Sequence, residues 1–466
     1  MASPDLRDML SKLCIDVRDE ARFNCTKEWE IKSVVGFCHH SGEQKYKIAW
    51  QDSVLSKTDL MCSLVNNKWP LYRFARQITP EAPGSQLRVA WKETWEPANA
   101  IFAAAELIHE YWLGVYQSRE PLPVAVLSNM ASKKDDLKIL LGTMTIGTPG
   151  TLAACIHTVD EVGKLLDIFQ SHKGVYIDSA RLYGSGTTEK MLGDANYVRR
   201  GLLMDTKLYP SAQNALSPPE LRYWLIPEDI RRGLFDSLKA FGTNKLHMFY
   251  LHAPDPQHPF VDALREVNML YEEGHFEYFG ISNFQPWEVA LVCEICRNNK
   301  WIQPTAYQGM YNILQRRPEE ELFPCLRHYG IAFYAFSPLA GGFLTGKYTN
   351  ETTMFESSSR FDPESFVGKL QQRQMFKDDM FEAVGVVRKA VEKHGLTVAE
   401  TAMRWLKHHS LLGVEKGDGI IVGASNAKHL EQNLLDLEKE LLPGDVVEAV
   451  EEAWGLVRGA VGAYTH

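Results

Sequence analysis

Four residues of acid–base character stand at or just past the ends of short apolar runs. Asp178 and Tyr183 lie in YIDSARLYG, Lys207 ends GLLMDTK, and His252 ends LHMFYLH. A phenol can serve as a general acid, but free tyrosine has a pKa near ~10, too high for efficient proton transfer at neutral pH. A nearby ammonium favours phenolate and would lower that value. Lys207 can supply the charge, Asp178 can hold Lys207, and His252 can orient a carbonyl oxygen or relay its proton. The set suits adding a proton to a carbonyl oxygen while a hydride reaches the carbon, and that hydride must come from a cofactor.

Singly, each residue has a plainer reading: Asp178 as a turn cap, Lys207 as a solvated end, His252 as a satisfied core histidine. The elements that carry them argue for the collective reading. Apolar strand candidates recur at 138–143, 174–178, 201–207, 246–252, 277–282, 304–308, 331–337 and 419–425, and helical patterns such as TVDEVGKLLDIFQ and PEDIRRGLFDSLKAFG separate most of them. Eight strands alternating with helices predict an α/β fold, a parallel (β/α)8 TIM barrel. A doubly wound sheet is the alternative, but no strand is followed by a GxGxxG turn. Almost every strand ends in a polar residue: Asp178, Lys207, His252, Ser282-Asn283, Gln308, Ser337, Ser425. In a barrel these ends meet on one rim, where such enzymes place their chemistry.

From about Lys138 to His466 the chain resembles the aldo-keto reductase superfamily, and most nearly its aflatoxin-aldehyde and succinic semialdehyde reductase branch. The stretches that carry the resemblance are LLGTM, YIDSARLYG, TKLYP, FYLHAPD, GISNF, PTAYQGMYN, ELFPCLRHYG, SPLAGGFLTGKY, RWLKHHS and GASNAKHLEQN. It implies a catalytic tetrad of Asp178, Tyr183, Lys207 and His252, with Tyr183 as proton donor, and NADPH/NADP+ as cofactor. It implies that Ser282, Asn283 and Gln308 hydrogen-bond the nicotinamide carboxamide and that Phe336, at a position usually tyrosine, stacks on the ring. The loop Ser337–Lys347, with Leu339, Gly341, Gly342 and Lys347, would wrap the pyrophosphate. Ser425, Gln432 and Asn433 would meet the adenosine end, Arg360 a phosphate, and Arg373 a substrate carboxylate. Departures touch substrate choice more than the reaction. His429 and Gln432 replace residues that grip the 2′-phosphate, Leu370 replaces a tyrosine, the tail GAYTH lacks the branch's terminal arginine, and GTPGTLAACIHTVDE is unfamiliar.

Residues 1–120 read as one or two small, mainly β units, with 121–137 as a linker and 138–466 as the barrel domain; SREPLPVAVLSNMASKKDD (118–136) has linker composition. Residues 28–50 and 87–112 resemble chromo-like modules, in which aromatic cages bind methylated lysine. Trp29, Trp50 and Trp91 could contribute to a cage, although tryptophans of a small sheet are more often core.

The net charge is −9, and residues 1–130 carry 15 Lys+Arg against 16 Asp+Glu, which leaves no basic footprint for nucleic acid. No stretch reaches the ~18 apolar residues of a membrane span, and Met1–Glu20 lacks the apolar core of a secretory signal. The eight cysteines read as reduced thiols; Cys293 and Cys296 of CEIC read as packed helix thiols rather than a redox or metal site, and Cys14, Cys25, Cys38 and Cys62 lack zinc-site spacing. No metal is expected. The expectation is a cytoplasmic NADPH-dependent reductase of small aldehydes or ketones, with residues 1–120 as a structural or protein-binding appendage and room for a homodimer. Two readings compete: a barrel retired from catalysis that serves as a binding subunit, and a methyl-lysine reader, then nuclear, with a reductase attached.

Overall fold

The computed structural model describes residues 137–465, apart from 215–216, 353–354 and 356–359, and the backbone of six strands between residues 31 and 97. The chain divides into two compact units, Met1–Pro121 and Leu122–His466. In the first, Ile31–His40, Glu43–Trp50 and Thr94–Pro97 form one antiparallel sheet. Ser53–Ser56, Gln86–Trp91 and Ala75–Pro80 form another. The WEP residues at 95–97 thus pair with the strand of the earlier chromo-like stretch. Trp29, Cys14, Cys25 and Cys62, the side chains of Cys38, Trp50 and Trp91, and the linker segment up to residue 136 lie outside the described residues.

The second unit is built on eight parallel strands closed into a barrel. They are β1 (Lys138–Gly142), β2 (Tyr176–Asp178), β3 (Leu203–Leu208), β4 (Leu246–Leu251), β5 (Phe276–Ser282), β6 (Pro304–Met310), β7 (Ala332–Phe336) and β8 (Gly419–Gly423). Each pairs with its successor, and β8 pairs with β1 through Gly419–Lys138 to Gly423–Gly142. All eight expected runs are strands. The run at 419–425 stops at Gly423, so Ser425 lies in the turn before a helix rather than at a strand end.

Strand side chains alternate between faces, so each strand feeds two cores. Leu141, Ile177, Leu208, Phe249, Leu251, Phe279 and Ile281 join the apolar layer under the helices. Leu140, Met248, Tyr250, Ala306, Ala332, Tyr334 and Ile421 fill the barrel interior. Gly280 makes room there: a Cβ on it would stand 2.2 Å from Cε1 of Tyr250. The helix Pro227–Phe241 shows how the outer layer forms. Proline opens it, Glu228 and Asp229 favour its positive end, and Gly242 closes it at φ 68°. Its Gly233 lies against Leu208, where a Cβ would fall 2.4 Å from Cδ1, so the helix seats directly behind the end of β3.

Where β7, β8 and β1 meet, one buried carboxylate ties β8 to β7 and to the helix before it. Asp418 accepts from both terminal nitrogens of Arg327 (2.9 and 2.6 Å), from Phe333 N (2.7 Å) and from Gly413 N (2.8 Å). Its carbonyl accepts from Lys138 N.

Thr187–Asp194, Phe366–Met375, Asp378–Glu392, Ala427–Glu438 and Gly444–Val457 are further helices beyond those the sequence patterns marked. The CEIC pair lies on the helix Pro286–Asn299 with both thiols buried. Burial pushes the Cys293 thiol far up and that of Cys296 up to about 12, so neither is a ready nucleophile. No group of His, Cys, Asp or Glu among the described residues could hold a metal, and no described helix is long and apolar enough to cross a membrane.

Candidate active site

The tetrad assembles at the C-terminal ends of β2, β3 and β4. Asp178 closes β2 on the interior face, two residues after Tyr176, and Lys207 sits likewise two residues after Asp205 on β3. Lys207 Nζ donates to both oxygens of Asp178 and to the Ser179 carbonyl, each at 2.7 Å, and all three groups are buried. The pair is thereby fully hydrogen-bonded, the condition under which buried charges are tolerated.

Tyr183 is placed by a turn stitched to β3. Ser179 N donates to Asp205 O, Arg181 N to Lys207 O, and Tyr183 N to Ala180 O. Arg181 is held by Glu189 at 2.6 Å, and Glu189, wholly buried, also accepts from Thr206 Oγ1. After Tyr183 the chain must reverse tightly: Gly184 has φ 53°, and a Cβ on it would strike Ile146 O and Gly147 Cα within 3 Å. The Tyr183 ring lies with its centroid 5.1 Å from Lys207 Nζ and 5.9 Å from the His252 ring, edge to face. Tyr209 flanks His252 from its other side, with centroids 5.5 Å apart.

The electrostatics correct one expectation. Burial dominates Tyr183 and raises its pKa above the usual phenol value; Lys207 opposes this and Asp178 adds to it. The lysine tempers the rise without reversing it, so the Tyr183 hydroxyl keeps its proton at neutral pH. Burial also works against the Lys207 ammonium, but Asp178, Tyr183 and Asp205 outweigh it and hold its pKa above the ordinary lysine value.

Ser282, Asn283 and Gln308 are buried at the ends of β5 and β6, with Ser282 and Gln308 paired in register. Asn283 adopts φ 64°, donates to His252 O at 2.9 Å, and leaves its own Oδ1 buried without a hydrogen-bond partner. That orphaned acceptor fits an amide N–H donor such as a nicotinamide carboxamide. Gln308 is partly engaged elsewhere: its Nε2 donates to Asp178 Oδ1 at 2.6 Å. Phe336 is half-buried at the end of β7 against the interior cluster. Past it, Ser337, Ala340, Gly341, Gly342 and Gly346 all have positive φ, and Asn312 Nδ2 holds the Ser337 carbonyl. A run of left-handed residues turns backbone N–H groups into a concave cradle for anions, which fits a pyrophosphate. Leu339 is half-buried in this loop and Lys347 exposed just after it.

At the end of β8, Ser425 Oγ lies 2.9 Å from His429 Nδ1, Asn433 Nδ2 donates to Gly423 O, and Gln432 Nε2 bonds Asp436. Arg360, expected near a phosphate, lies beside the tetrad: its Nη2 is 3.0 Å from Met144 Sδ, and Tyr183 acts on its charge. Burial pushes the Arg360 pKa below the usual guanidinium value. Arg373 is exposed in the last turn of Phe366–Met375 and is in no ion pair with a described residue.

Several residues of the site escaped the sequence reading: Arg181, Glu189 and Thr206, which brace the tyrosine turn; Asn312, which shapes the β7 loop; and Asp205, which lies under the tetrad. Of these only Asp205 left a legible mark, two places before Lys207 on one strand face.

Residues 138–455 match the aldo/keto reductase family. The chain belongs to that family. It is 44% identical over 338 residues to aldo-keto reductase pigE of Monascus ruber, covering 72% of this chain and 99% of that protein. It is 40% identical over 290 residues to human aldo-keto reductase family 7 member A3, covering 60% and 85% respectively. It is 37% identical over 325 residues to mouse aflatoxin B1 aldehyde reductase member 2, covering 67% and 87%. Family membership makes the chain an oxidoreductase that reduces carbonyl groups.

Proposed function

We propose that the protein is an NADPH-dependent reductase of small aldehydes and ketones, with Tyr183 as the proton donor. The observation that carries this is the doubly bonded Asp178–Lys207 pair set beneath the Tyr183 ring, with His252 edge-on to it. The reduced nicotinamide supplies a hydride to the carbonyl carbon. Asn283 Oδ1 and Ser282 receive and orient the carboxamide, Phe336 offers a ring face, and the left-handed loop from Ser337 offers N–H groups to the pyrophosphate. His252 directs the carbonyl oxygen toward Tyr183. The Tyr183 O–H bond breaks as the alcohol O–H forms, and the Lys207 ammonium stabilises the tyrosinate left behind.

Relatives named as aflatoxin B1 aldehyde reductases support aldehydes as the substrate class. Arg373, on the surface near the end of its helix, is the proposed partner for a substrate carboxylate. Residues 1–120 form a separate appendage with a structural or protein-binding role, and the barrel domain runs from 138 to 466. A retired, non-catalytic barrel is the weaker reading, because a chain without activity has no physical use for the buried cation that tunes Tyr183.

Oxidation of NADPH with a panel of aldehydes tests the proposal, alongside fluorescence titration with NADPH and NADH. Turnover of aldehydes with tighter NADPH binding is expected. Absence of turnover with every carbonyl, in protein that binds the nucleotide, would favour the non-catalytic barrel. Equal affinities would mean that His429 and Gln432 have removed the cofactor preference.

A further inference from the structure

Below the tetrad, the barrel interior holds a second polar cluster that placing a carbonyl does not require. Asp205 is 0% exposed and faces the interior, paired in register with Asp178 on β2 and with Met248 on β4. Its Oδ1 lies 2.6 Å from His247 Nδ1, while its Oδ2 is buried without a hydrogen-bond partner. One interior position above Met248, the Tyr250 hydroxyl is likewise buried and unpartnered. Buried polar atoms are nearly always satisfied, and exceptions call for a reason such as a bridging water or a chemical role.

The cluster joins the tetrad to the opposite end of the barrel. Tyr250 feels the charges of both Asp205 and Asp178 and lies by the Gln308 amide that also bonds Asp178. His247 sits at the start of β4 between the rings of Tyr176 (5.3 Å) and Tyr278 (5.1 Å), and Tyr278 is 44% exposed. The titratable groups around Asp205 are therefore Asp178 and Tyr176 on β2, Lys207 on β3, His247 and Tyr250 on β4, Tyr278 on β5 and Tyr334 on β7. Lys138 of β1 bonds the Tyr334 hydroxyl at 3.2 Å. Burial pushes the Asp205 carboxyl up to about 6, with His247 and Lys207 opposing and Asp178 adding to the rise. A carboxyl so placed can hold a proton near neutrality, as an ordinary aspartate cannot.

We propose that His247, Asp205 and Tyr250 form a proton-supply column through the barrel floor that recharges the tetrad after each reduction. The proposal rests on the reductase reading above. Substrate and nucleotide would cover the rim, whereas at the floor Tyr278 is 44% exposed and gives water an approach to His247. Once Tyr183 has given its proton to the alcohol, the Lys207 ammonium returns one to the tyrosinate and, as a neutral amine, accepts its replacement by way of the Asp178 carboxylate. Tyr250 passes a proton to Asp178 as it receives one from Asp205, a water molecule bridging the gap, and Asp205 is refilled from solvent through His247. One solvent proton enters for each alcohol O–H bond formed, and no electrons move along the column. His247, Asp205 and Tyr250 are positioning residues, since they act through Lys207.

Asp205→Asn and His247→Gln in the full chain test this. In a single turnover with pre-bound NADPH, His247→Gln should transfer hydride at the wild-type rate, because Tyr183 already carries its proton; Asp205→Asn, which also removes a charge that supports the Lys207 ammonium, is read by its steady-state loss. Steady-state kcat should fall about tenfold or more and KM with it, leaving kcat/KM for the aldehyde nearly unchanged, because the recharging step follows hydride transfer. Added imidazole should restore His247→Gln, since a small base at the open floor can replace the missing ring. Parallel loss of single-turnover and steady-state rates in His247→Gln would make the pair a structural brace and overturn the column, as would wild-type turnover in both variants. Should Asp205→Asn not fold, His247→Gln with and without imidazole decides alone. If the wild-type chain reduces no aldehyde, the reductase reading fails; an active wild type with unaffected variants sinks only the column.

Discussion

Gln308 Nε2 and Lys207 Nζ donate to the same oxygen, Oδ1 of Asp178, at 2.6 and 2.7 Å. The residue proposed to hold the nicotinamide is thus also a second clamp on the carboxylate that fixes Lys207. Gln308→Leu should lower kcat as well as cofactor affinity. A hydrogen bond to a charged group is worth about 1.5–3 kcal/mol, so a loss of about tenfold or more in kcat is expected. Steady-state kinetics at saturating NADPH check this; a change confined to NADPH affinity would assign Gln308 to the cofactor alone.

Tyr183→Phe keeps the ring and removes the proton, so reduction should fall by about 10²–10⁴ while NADPH titrates nearly as before. Lys207→Met should be similarly impaired. The pH dependence follows from the direction of the Tyr183 shift. Reduction needs the neutral phenol, and burial holds its pKa above the ordinary value. The rate should therefore hold on the alkaline side until that raised pKa is reached, and then fall. Alcohol oxidation needs tyrosinate and should rise over the same range. Because Lys207 lowers the Tyr183 pKa more than Arg360 does, removing it should move the oxidation limb to higher pH. A limb at or below the pH of free tyrosine would contradict the burial argument.

Arg373→Ala should raise KM for aldehydes bearing a carboxylate by about tenfold, since charge-assisted bidentate pairs are strong. Uncharged aromatic aldehydes should be little affected. Equal losses for both classes would make the arginine structural or a cofactor contact.

A chain beginning near Ser132 should fold, bind NADPH and reduce aldehydes within about twofold of the full chain, because every tetrad and proposed cofactor residue lies in the second compact unit. A fragment of residues 1–120 should show no reductase activity. Loss of activity in a well-folded truncated barrel would mean that the appendage completes the site; tight binding of methylated-lysine peptides by the fragment would favour the reader function.

The barrel was legible because each strand is a short apolar run stopped by a polar residue, and strand ends converge whatever fills the loops between. The tetrad was legible for the same reason: Asp178, Lys207 and His252 occupy those stops. The long connection between β7 and β8 hid its helices Phe366–Met375 and Asp378–Glu392, since a barrel needs only one helix there. The sign of the Tyr183 shift could not be read either. Neighbouring charges are visible in a sequence, but the desolvation that outweighs Lys207 appears only once the turn closes over the ring. His247 was hidden by parity, because as a neighbour of interior Met248 it belongs by alternation to the outer face, and only its place at the first residues of β4 lets it reach Asp205.

The Asp418 clasp has a consequence for how the barrel comes into being. Seven of the strand contacts join segments consecutive along the chain, whereas β8–β1 joins its two ends. Loop-closure entropy makes that seam the costliest contact to bring together and the last to form. The Asp418 carboxylate gathers Arg327, Phe333 and Gly413 from the β7–β8 side, and only its backbone carbonyl reaches Lys138 across that seam. Contacts absent from the folding transition state govern escape from the native state rather than arrival at it. Asp418→Asn loosens β8, the strand that closes the ring, against β7, and should hasten unfolding severalfold or more while leaving refolding nearly unchanged, as stopped-flow denaturant jumps would reveal; slowed refolding would place the clasp in the nucleus instead. On this account the protein's lifetime, as distinct from its fold, is set by one carboxylate on the side of the barrel remote from the chemistry in sequence.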